Sequence, residues 1–203
     1  MNYWSIPRQW EGATVAVMAS GPSLTADQAA AVKHLPRIVT NATYRIAPDA
    51  DVIYCSDSAF WLHPEYADVF DCPGLRVSCE QIRGVHPNVP PGVLVLRHGG
   101  SHGFIDEPTQ IRTGANSGYA AIQIAALAGA KRIVLLGLDM QGGHWHGAHP
   151  NGLNNPRASS FKRWIRYFNG LAPHLTQRGI EVFNCSPASA LTCFPKASLD
   201  CVL

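Results

Sequence analysis

Short, continuously apolar runs alternate with longer segments of helical period along most of the chain. The runs predicted to be strands cover residues 13–18, 37–40, 51–54, 75–78, 93–96, 131–136 and 180–184. Apolar runs of this length without polar alternation are typical of strands buried on both faces of a parallel sheet. Residues 131–136 (KRIVLL) give the strongest of these patterns.

Helical segments lie between the predicted strands. They cover residues 25–33, 58–69 and 117–127, together with a stripe of apolar residues at helical spacing between Phe161 and Leu175. Thr25 and Gln28 have the spacing of a capping box at a helix start. Strand–helix alternation of this kind predicts an α/β protein with a Rossmann-like, three-layer fold, in which helices cover both faces of a mostly parallel central sheet. We expect residues 1–203 to form a single domain of this type.

Composition narrows the classes of partner. The net charge is +2, 15% of the 203 residues are charged, and no run of basic residues occurs. Nucleic-acid binders usually show a basic stripe, so a small anionic ligand is the better expectation. Six scattered cysteines without CxxC spacing, and no visible signal peptide or membrane-spanning apolar run, predict a cytoplasmic protein with free thiols.

Small and polar residues follow several of the predicted strands. They are Ser20, Gly21, Pro22 and Ser23 after the first strand, Asn41 after the second, Asp57 after the third, and Asp139 after the strand at 131–136. In open parallel sheets, ligands bind beyond the carboxyl ends of the strands. These residues are therefore predicted to line a ligand site, although Asn41 and Asp57 are also common turn formers.

Two turns that open helices are candidates for holding phosphate. The first is ASGPSL (residues 19–24), and the second, TGANSG (residues 113–118), contains Asn116, Ser117 and Gly118. A glycine-containing turn before a helix presents free N–H groups and the positive end of the helix dipole. Neither turn is GxGxxG or a Walker loop, and Asn116 or Ser117 could serve only as an N-cap. Together they could hold the phosphates and sugar of a nucleotide.

The segment DMQGGHWHGAHP (residues 139–150) contains three histidines close together. Asp139 could bind a divalent cation or a ribose hydroxyl, and His144, His146 and His149 could bind a transition metal or act as general bases. The spacing is not HExxH, so the fixed helical geometry of that motif is missing. A chance cluster in a surface loop is the alternative.

Three longer segments resemble known families. VAVMASGPSL and NSGYAAIQIAALAGAKRIVLLGLDM resemble bacterial CMP-sialic-acid-dependent sialyltransferases and the MptE-like 6-hydroxymethylpterin diphosphokinase family. GLDMQGGHWHG is similar to the diphosphokinase segment, and the HWxGxHP pattern resembles a loop in phage-encoded proteins. The similarity spans about residues 13–190 and implies a Rossmann-like fold with a nucleotide site.

The resemblance also implies roles for individual residues. The sialyltransferase pattern implies that Ser20, Asn41 and Ser117 contact the CMP part of the donor and that His149 acts as base. Ser20 stands where that family has an asparagine, and Gln141 stands where it has a tyrosine. The diphosphokinase pattern implies that Asp139 and His144 lie by the nucleotide phosphates and Mg²⁺.

The sequence therefore predicts a nucleotide-dependent transferase that moves a diphosphate or glycosyl group to an acceptor hydroxyl. The donor would be ATP, a CMP-sugar or a similar nucleotide, with Mg²⁺ in the diphosphate case. His149 is the favoured base, ahead of His146 and His144. The alternatives are a non-catalytic nucleotide-binding protein and a metal-dependent hydrolase that uses the three histidines. The expected partners are small molecules, no membrane partner is expected, and self-association into a homo-oligomer is left open.

Overall fold

The computed structural model describes residues 3–203, and its centre is an eight-stranded sheet. The strands are β1 (Thr14–Met18), β2 (Arg37–Thr40), β3 (Val52–Tyr54), β4 (Leu75–Cys79), β5 (Val93–His98), β6 (Gln110–Ile111), β7 (Arg132–Leu136) and β8 (Glu181–Asn184). Their spatial order is β6-β5-β4-β3-β2-β1-β7-β8, and every neighbouring pair is parallel.

Helices pack on both faces of this sheet. The α-helices are α1 (Ala26–Ala31), α2 (Ser58–Leu62), α3 (Ser117–Leu127) and α4 (Ala158–Gln177), and 3-10 helices cover Asn41–Arg45, Pro64–Asp71 and Leu199–Cys201. Val15 and Val17 join a core with α3 and α4, whereas Ala16 and Met18 join a second core with α1 and α2. The predicted Rossmann-like α/β fold with a parallel sheet is confirmed.

Several predicted boundaries need correction. The helix predicted over residues 58–69 breaks, because α2 ends at Leu62 and the chain resumes at Pro64 as a 3-10 helix. Proline disfavours helical geometry in the residue before it, and His63 accordingly has ψ of 126°. The helix predicted over 25–33 ends at Ala31, and the two-residue strand β6 was not predicted. The capping box is confirmed, since Gln28 N–H donates to Thr25 Oγ1 at 3.2 Å and Thr25 N–H to Gln28 Oε1 at 3.1 Å.

The strand order reverses direction beside β1. From β1 the chain passes through α1 to β2 on one side, whereas α3 leads to β7 on the other side. Such a reversal of direction is where ligands bind in open α/β sheets. α3 packs on β1 and β2, which brings its N-terminus to the carboxyl ends of these strands. Within residues 3–203, no helix has the length and apolar character needed to cross a membrane.

Candidate functional site

The segments that follow β1 and β7 are bonded to each other. Gly21 N–H donates to Gly137 O at 2.8 Å. Asp139 Oδ2 accepts from the Ser23 hydroxyl at 2.9 Å and from the Ser23 N–H at 3.3 Å. Asp139 is only 3% exposed, so its carboxylate holds the first turn against the end of β7. The structure therefore gives Asp139 a protein partner and does not group it with the three histidines.

Gly21 lies where no side chain fits. A Cβ added there would be 2.0 Å from Asp139 Oδ2 and 2.3 Å from Gly137 O. Real Cβ atoms essentially never approach so closely, so the contact between the two segments requires a glycine. Its role is thus to allow this close approach.

Three of the predicted donor-site residues meet at the carboxyl ends of β1 and β2. Ser117, the first residue of α3, donates through its hydroxyl to Asn41 Oδ1 at 3.2 Å. The buried Ser20 hydroxyl lies 2.9 Å from Thr43 Oγ1, in the 3-10 helix that begins at Asn41. Ser20, Asn41 and Ser117 are far apart in the chain but form one continuous wall in the fold.

Other predicted site residues have local structural roles. Asn116 is the N-cap of α3, where its Oδ1 accepts from Tyr119 N–H at 3.1 Å. Asp57 is the N-cap of α2, and its Oδ1 accepts from Ala59 N–H at 3.0 Å. Gly118 lies in the first turn of α3 close to Leu138, and Pro22 is exposed beside the histidine loop. Asn116 and Asp57 thus do what capping residues ordinarily do.

Backbone strain is concentrated around this wall. Among residues 3–203, the non-glycine residues with positive φ are Asn41 (51°), Ala115 (49°) and Met140 (53°). They follow β2, precede α3 and follow β7. Such conformations cost roughly 1–3 kcal/mol each and tend to cluster at functional sites. Their placement at one edge of the sheet supports a ligand site there.

The histidine loop, residues 139–155, bonds to two neighbouring segments and within itself. Trp145 N–H donates to Ser20 O at 3.0 Å, which ties the loop to the turn after β1. His149 N–H donates to Asn155 Oδ1 at 2.8 Å, and His149 Nδ1 lies 3.0 Å from the Tyr66 hydroxyl. The loop is thus held between the first turn and the 3-10 helix Pro64–Asp71.

The three imidazoles of this loop form a compact cluster. One ring nitrogen from each of His144, His146 and His149 lies within 4.8 Å of the others. The rings of His144 and His146 are stacked, with centroids 5.0 Å apart and an interplanar angle of 7°.

Burial keeps these rings neutral. It lowers the pKa of His144, and it lowers the pKa of His146 and of His149 to about 4, helped by repulsion from the neighbouring histidines. Neutral imidazole is the form that accepts a proton or binds a metal. The cluster has the geometry and protonation state for either role.

Two residues of the site were not anticipated from the sequence. Tyr66 is 83 positions away from His149, its partner in the fold. Thr43 contacts Ser20 from the 3-10 helix after β2. Neither residue belongs to a recognisable motif, so no signal in the sequence pointed to them.

A cavity of about 510 Å³ has Tyr44, Arg45, Asp49 and Cys72 among its lining residues, and Arg45 lies over the Tyr66 ring, 5.1 Å from its centroid. None of the predicted site residues lines this cavity. Arg45 there is paired with Asp68 at 3.3 Å. The convergence of polar groups and strained backbone therefore favours a ligand site at the carboxyl ends of β1, β2 and β7 over this cavity.

Comparisons with known proteins address the fold. No protein-family model and no curated protein sequence matches the chain. The MAf glycosyltransferase from Magnetospirillum magneticum AMB-1 superposes with a TM-score of 0.64 and 13% identity over 97% of this chain. This chain spans 36% of that protein, little more than a third of its length.

A second solved structure is similar over most of both chains. It is the sialyltransferase CstII from Campylobacter jejuni, in complex with a substrate analogue, cytidine-5'-monophosphate. The TM-score is 0.50 at 12% identity, covering 93% of this chain and 86% of CstII. At these identities the similarity concerns the fold, and the chain shares a Rossmann-like architecture with both transferases.

Proposed function

We propose that the protein is a transferase that takes a glycosyl group from a nucleotide-sugar donor and passes it to an acceptor hydroxyl. The observation that carries this proposal is the meeting of Ser20, Asn41 and Ser117 at the carboxyl ends of β1 and β2, beside strained backbone. Two proteins of similar fold are glycosyltransferases by name, and one was solved with CMP. The sequence predicts a nucleotide-dependent transferase that moves either a glycosyl or a diphosphate group. The names of these two proteins favour the glycosyl group.

On the donor side, the N-terminus of α3 would meet the phosphate of the nucleotide. The first N–H groups of a helix lack intrahelical acceptors, and the helix dipole favours an anion there. Asn41 accepts from Ser117 through Oδ1, so its amide N–H groups are directed to other acceptors such as nucleobase or ribose oxygens. Ser20 belongs to the same wall, and Gly21, Pro22 and Ser23 would form the opposite side of the site, which Asp139 holds in place.

On the acceptor side, the histidine loop would activate the hydroxyl that attacks the donor. Trp145 bonds to Ser20 O, so the loop adjoins the donor wall directly. His149 is the favoured residue, because the Tyr66 hydroxyl at Nδ1 orients its ring and leaves Nε2 directed elsewhere. His149 would act as the proton acceptor for that hydroxyl.

A thermal-shift screen tests the central claim. We expect CMP or another nucleotide, or its sugar conjugate, to raise the melting temperature by several degrees at saturating concentration. Binding at one hundred times Kd adds about 2.7 kcal/mol, and each kcal/mol shifts a chain of this size by about 2–4 °C. The screen would include ATP and be run with and without Mg²⁺. No shift with any nucleotide at millimolar concentration would refute the proposal.

Turnover then separates a transferase from a non-catalytic nucleotide-binding protein. A transferase releases the free nucleotide from a nucleotide sugar faster when a hydroxyl acceptor is added. Stabilisation by nucleotide without any release, across a panel of sugars and acceptors, would favour the non-catalytic alternative.

The substitution Asn41→Gly tests the donor site directly. Glycine adopts the φ of 51° without strain, so the change removes the amide while keeping the backbone. We expect nucleotide affinity to fall about tenfold, the value of one good hydrogen bond. The melting temperature of the free protein should fall by only about 2–4 °C, because the hydrogen bond from Ser117 to Asn41 is also lost. Asn154→Gly, in the exposed loop before α4, is the matched control. If the two variants bind nucleotide with equal affinity, Asn41 does not contribute to the nucleotide site.

A further inference from the structure

The histidine cluster has features that a proton acceptor alone does not need. A general base requires one correctly placed imidazole, whereas here ring nitrogens of three histidines converge within 4.8 Å. All three belong to one loop, in which Trp145 N–H bonds to Ser20 O and His149 N–H bonds to Asn155 Oδ1, so the loop is held near this arrangement. Three imidazoles around one point are a typical ligand set for a catalytic zinc ion.

The cluster also contains a buried polar atom whose partner is missing. Within residues 3–203, His146 Nε2 is shielded from solvent and has no hydrogen-bond partner. Burying such an atom without a partner is unfavourable. A bound cation would satisfy this nitrogen and give a reason for placing it there.

The surroundings of His149 match those of a metal ligand. Its Nδ1 lies 3.0 Å from the Tyr66 hydroxyl, so Nε2 is the nitrogen left for an ion. Metal-binding histidines usually bond through the second nitrogen to a neighbouring polar group, which fixes the ring and its tautomer. Tyr66 is itself fixed, because it stacks on Phe60 at a centroid distance of 4.5 Å.

We propose that His144, His146 and His149 together bind one divalent transition-metal ion, with zinc as the expected ion and one coordination position left open. Imidazole nitrogens suit zinc, whereas Mg²⁺ prefers carboxylate, carbonyl and water oxygens. This site therefore differs from the Mg²⁺ site expected at Asp139, whose carboxylate bonds to Ser23.

The geometry needs only a small adjustment. Zinc–nitrogen distances near 2.0–2.1 Å place tetrahedral ligand nitrogens about 3.3 Å apart. The three nitrogens would approach one another from their separation of up to 4.8 Å. Gly142, Gly143 and Gly147 flank the ligands, and a Cβ at Gly143 or Gly147 would meet nothing within 4 Å. The loop therefore has room to contract around an ion.

Metal binding does not rest on the proposed function, but it sharpens it. A ligating nitrogen has no lone pair left for a proton, so in the metal-loaded protein the ion rather than His149 would polarise the acceptor hydroxyl. The two roles predict different patterns among the histidines. A base role makes His149 alone essential, whereas a metal role makes all three necessary.

The test is a titration of chelator-treated protein with Zn²⁺ in the absence of nucleotide. We expect binding of one equivalent, and tetrahedral visible absorption when Co²⁺ replaces Zn²⁺. The variants His144→Ala, His146→Ala and His149→Ala should each weaken Zn²⁺ binding at least tenfold. The control is His34→Ala, which should bind Zn²⁺ like wild type. His34 is exposed and lies in the turn after α1.

A milder variant guards against loss of folding. Tyr66→Phe keeps the ring that stacks on Phe60 and removes only the hydroxyl at His149. Loss of such a supporting contact typically weakens metal affinity by about 10–100-fold, while the melting temperature of the metal-free protein should stay close to wild type. Less than one equivalent of Zn²⁺ at micromolar concentrations would overturn the proposal. The proposal would also be overturned if Tyr66→Phe and any one of the three alanine variants each bound Zn²⁺ with wild-type affinity.

Discussion

Replacing Gly21 with alanine is expected to lower the free energy of unfolding by about 3 kcal/mol, the upper part of the usual range for overpacking. The new Cβ would lie 2.0 Å from Asp139 Oδ2 and 2.3 Å from Gly137 O. Asp139 is buried and Gly137 O is backbone, so neither can move away without disturbing its own contacts. The segments after β1 and β7 would have to separate.

Thermal unfolding measures this effect. A loss of about 3 kcal/mol corresponds to a fall in melting temperature of roughly 6–12 °C for a chain of this length. The matched control is Gly170→Ala in the exposed part of α4, where a Cβ would meet nothing within 4 Å. That change should stabilise the helix by up to about 1 kcal/mol. A melting temperature for Gly21→Ala equal to or above that of wild type would contradict the close approach.

Replacing His149 with alanine is expected to reduce turnover at least about 100-fold, the lower limit for losing a general acid–base group. Nucleotide affinity should change little, because His149 contacts Tyr66 and lies on the loop rather than on the wall formed by Asn41 and Ser117. The measurements are steady-state turnover with the donor identified in the thermal-shift screen, and the Kd of that donor.

Comparison among the histidines shows which role His149 plays. His34→Ala should retain wild-type turnover, because His34 is exposed and outside the cluster. Losses of similar size in His144→Ala and His146→Ala would indicate a shared metal, and a loss confined to His149→Ala would indicate a base. Full turnover in His149→Ala would show that the histidine loop takes no part in the reaction.

The strands and the edge that carries the site follow from local patterns in the sequence. Buried parallel strands are continuous apolar runs, and β7 (Arg132–Leu136) differs by one residue from the run that predicts it. The placement of Ser20, Asn41 and Ser117 at one edge then follows from the parallel arrangement. The broken helix at Pro64 was also visible in principle, because proline marks a probable helix boundary.

The partners of the site residues could not be predicted in the same way. Asp139 and Ser23 are 116 positions apart, and Tyr66 and His149 are 83 apart. Such contacts depend on how loops fold over a finished sheet, which hydrophobic periodicity does not encode. For the same reason, the spacing of His144, His146 and His149 could not distinguish convergent side chains from scattered ones.

The hydrogen bond from Trp145 N–H to Ser20 O has a thermodynamic consequence. It joins a turn proposed to face the donor with a loop proposed to hold a metal, so an occupant that shifts one segment changes the energy of the other. Thermodynamic linkage makes this effect reciprocal. If the bound ion changes the affinity for nucleotide by some factor, the bound nucleotide changes the affinity for the ion by the same factor. Binding of the ion and binding of the nucleotide would then be coupled.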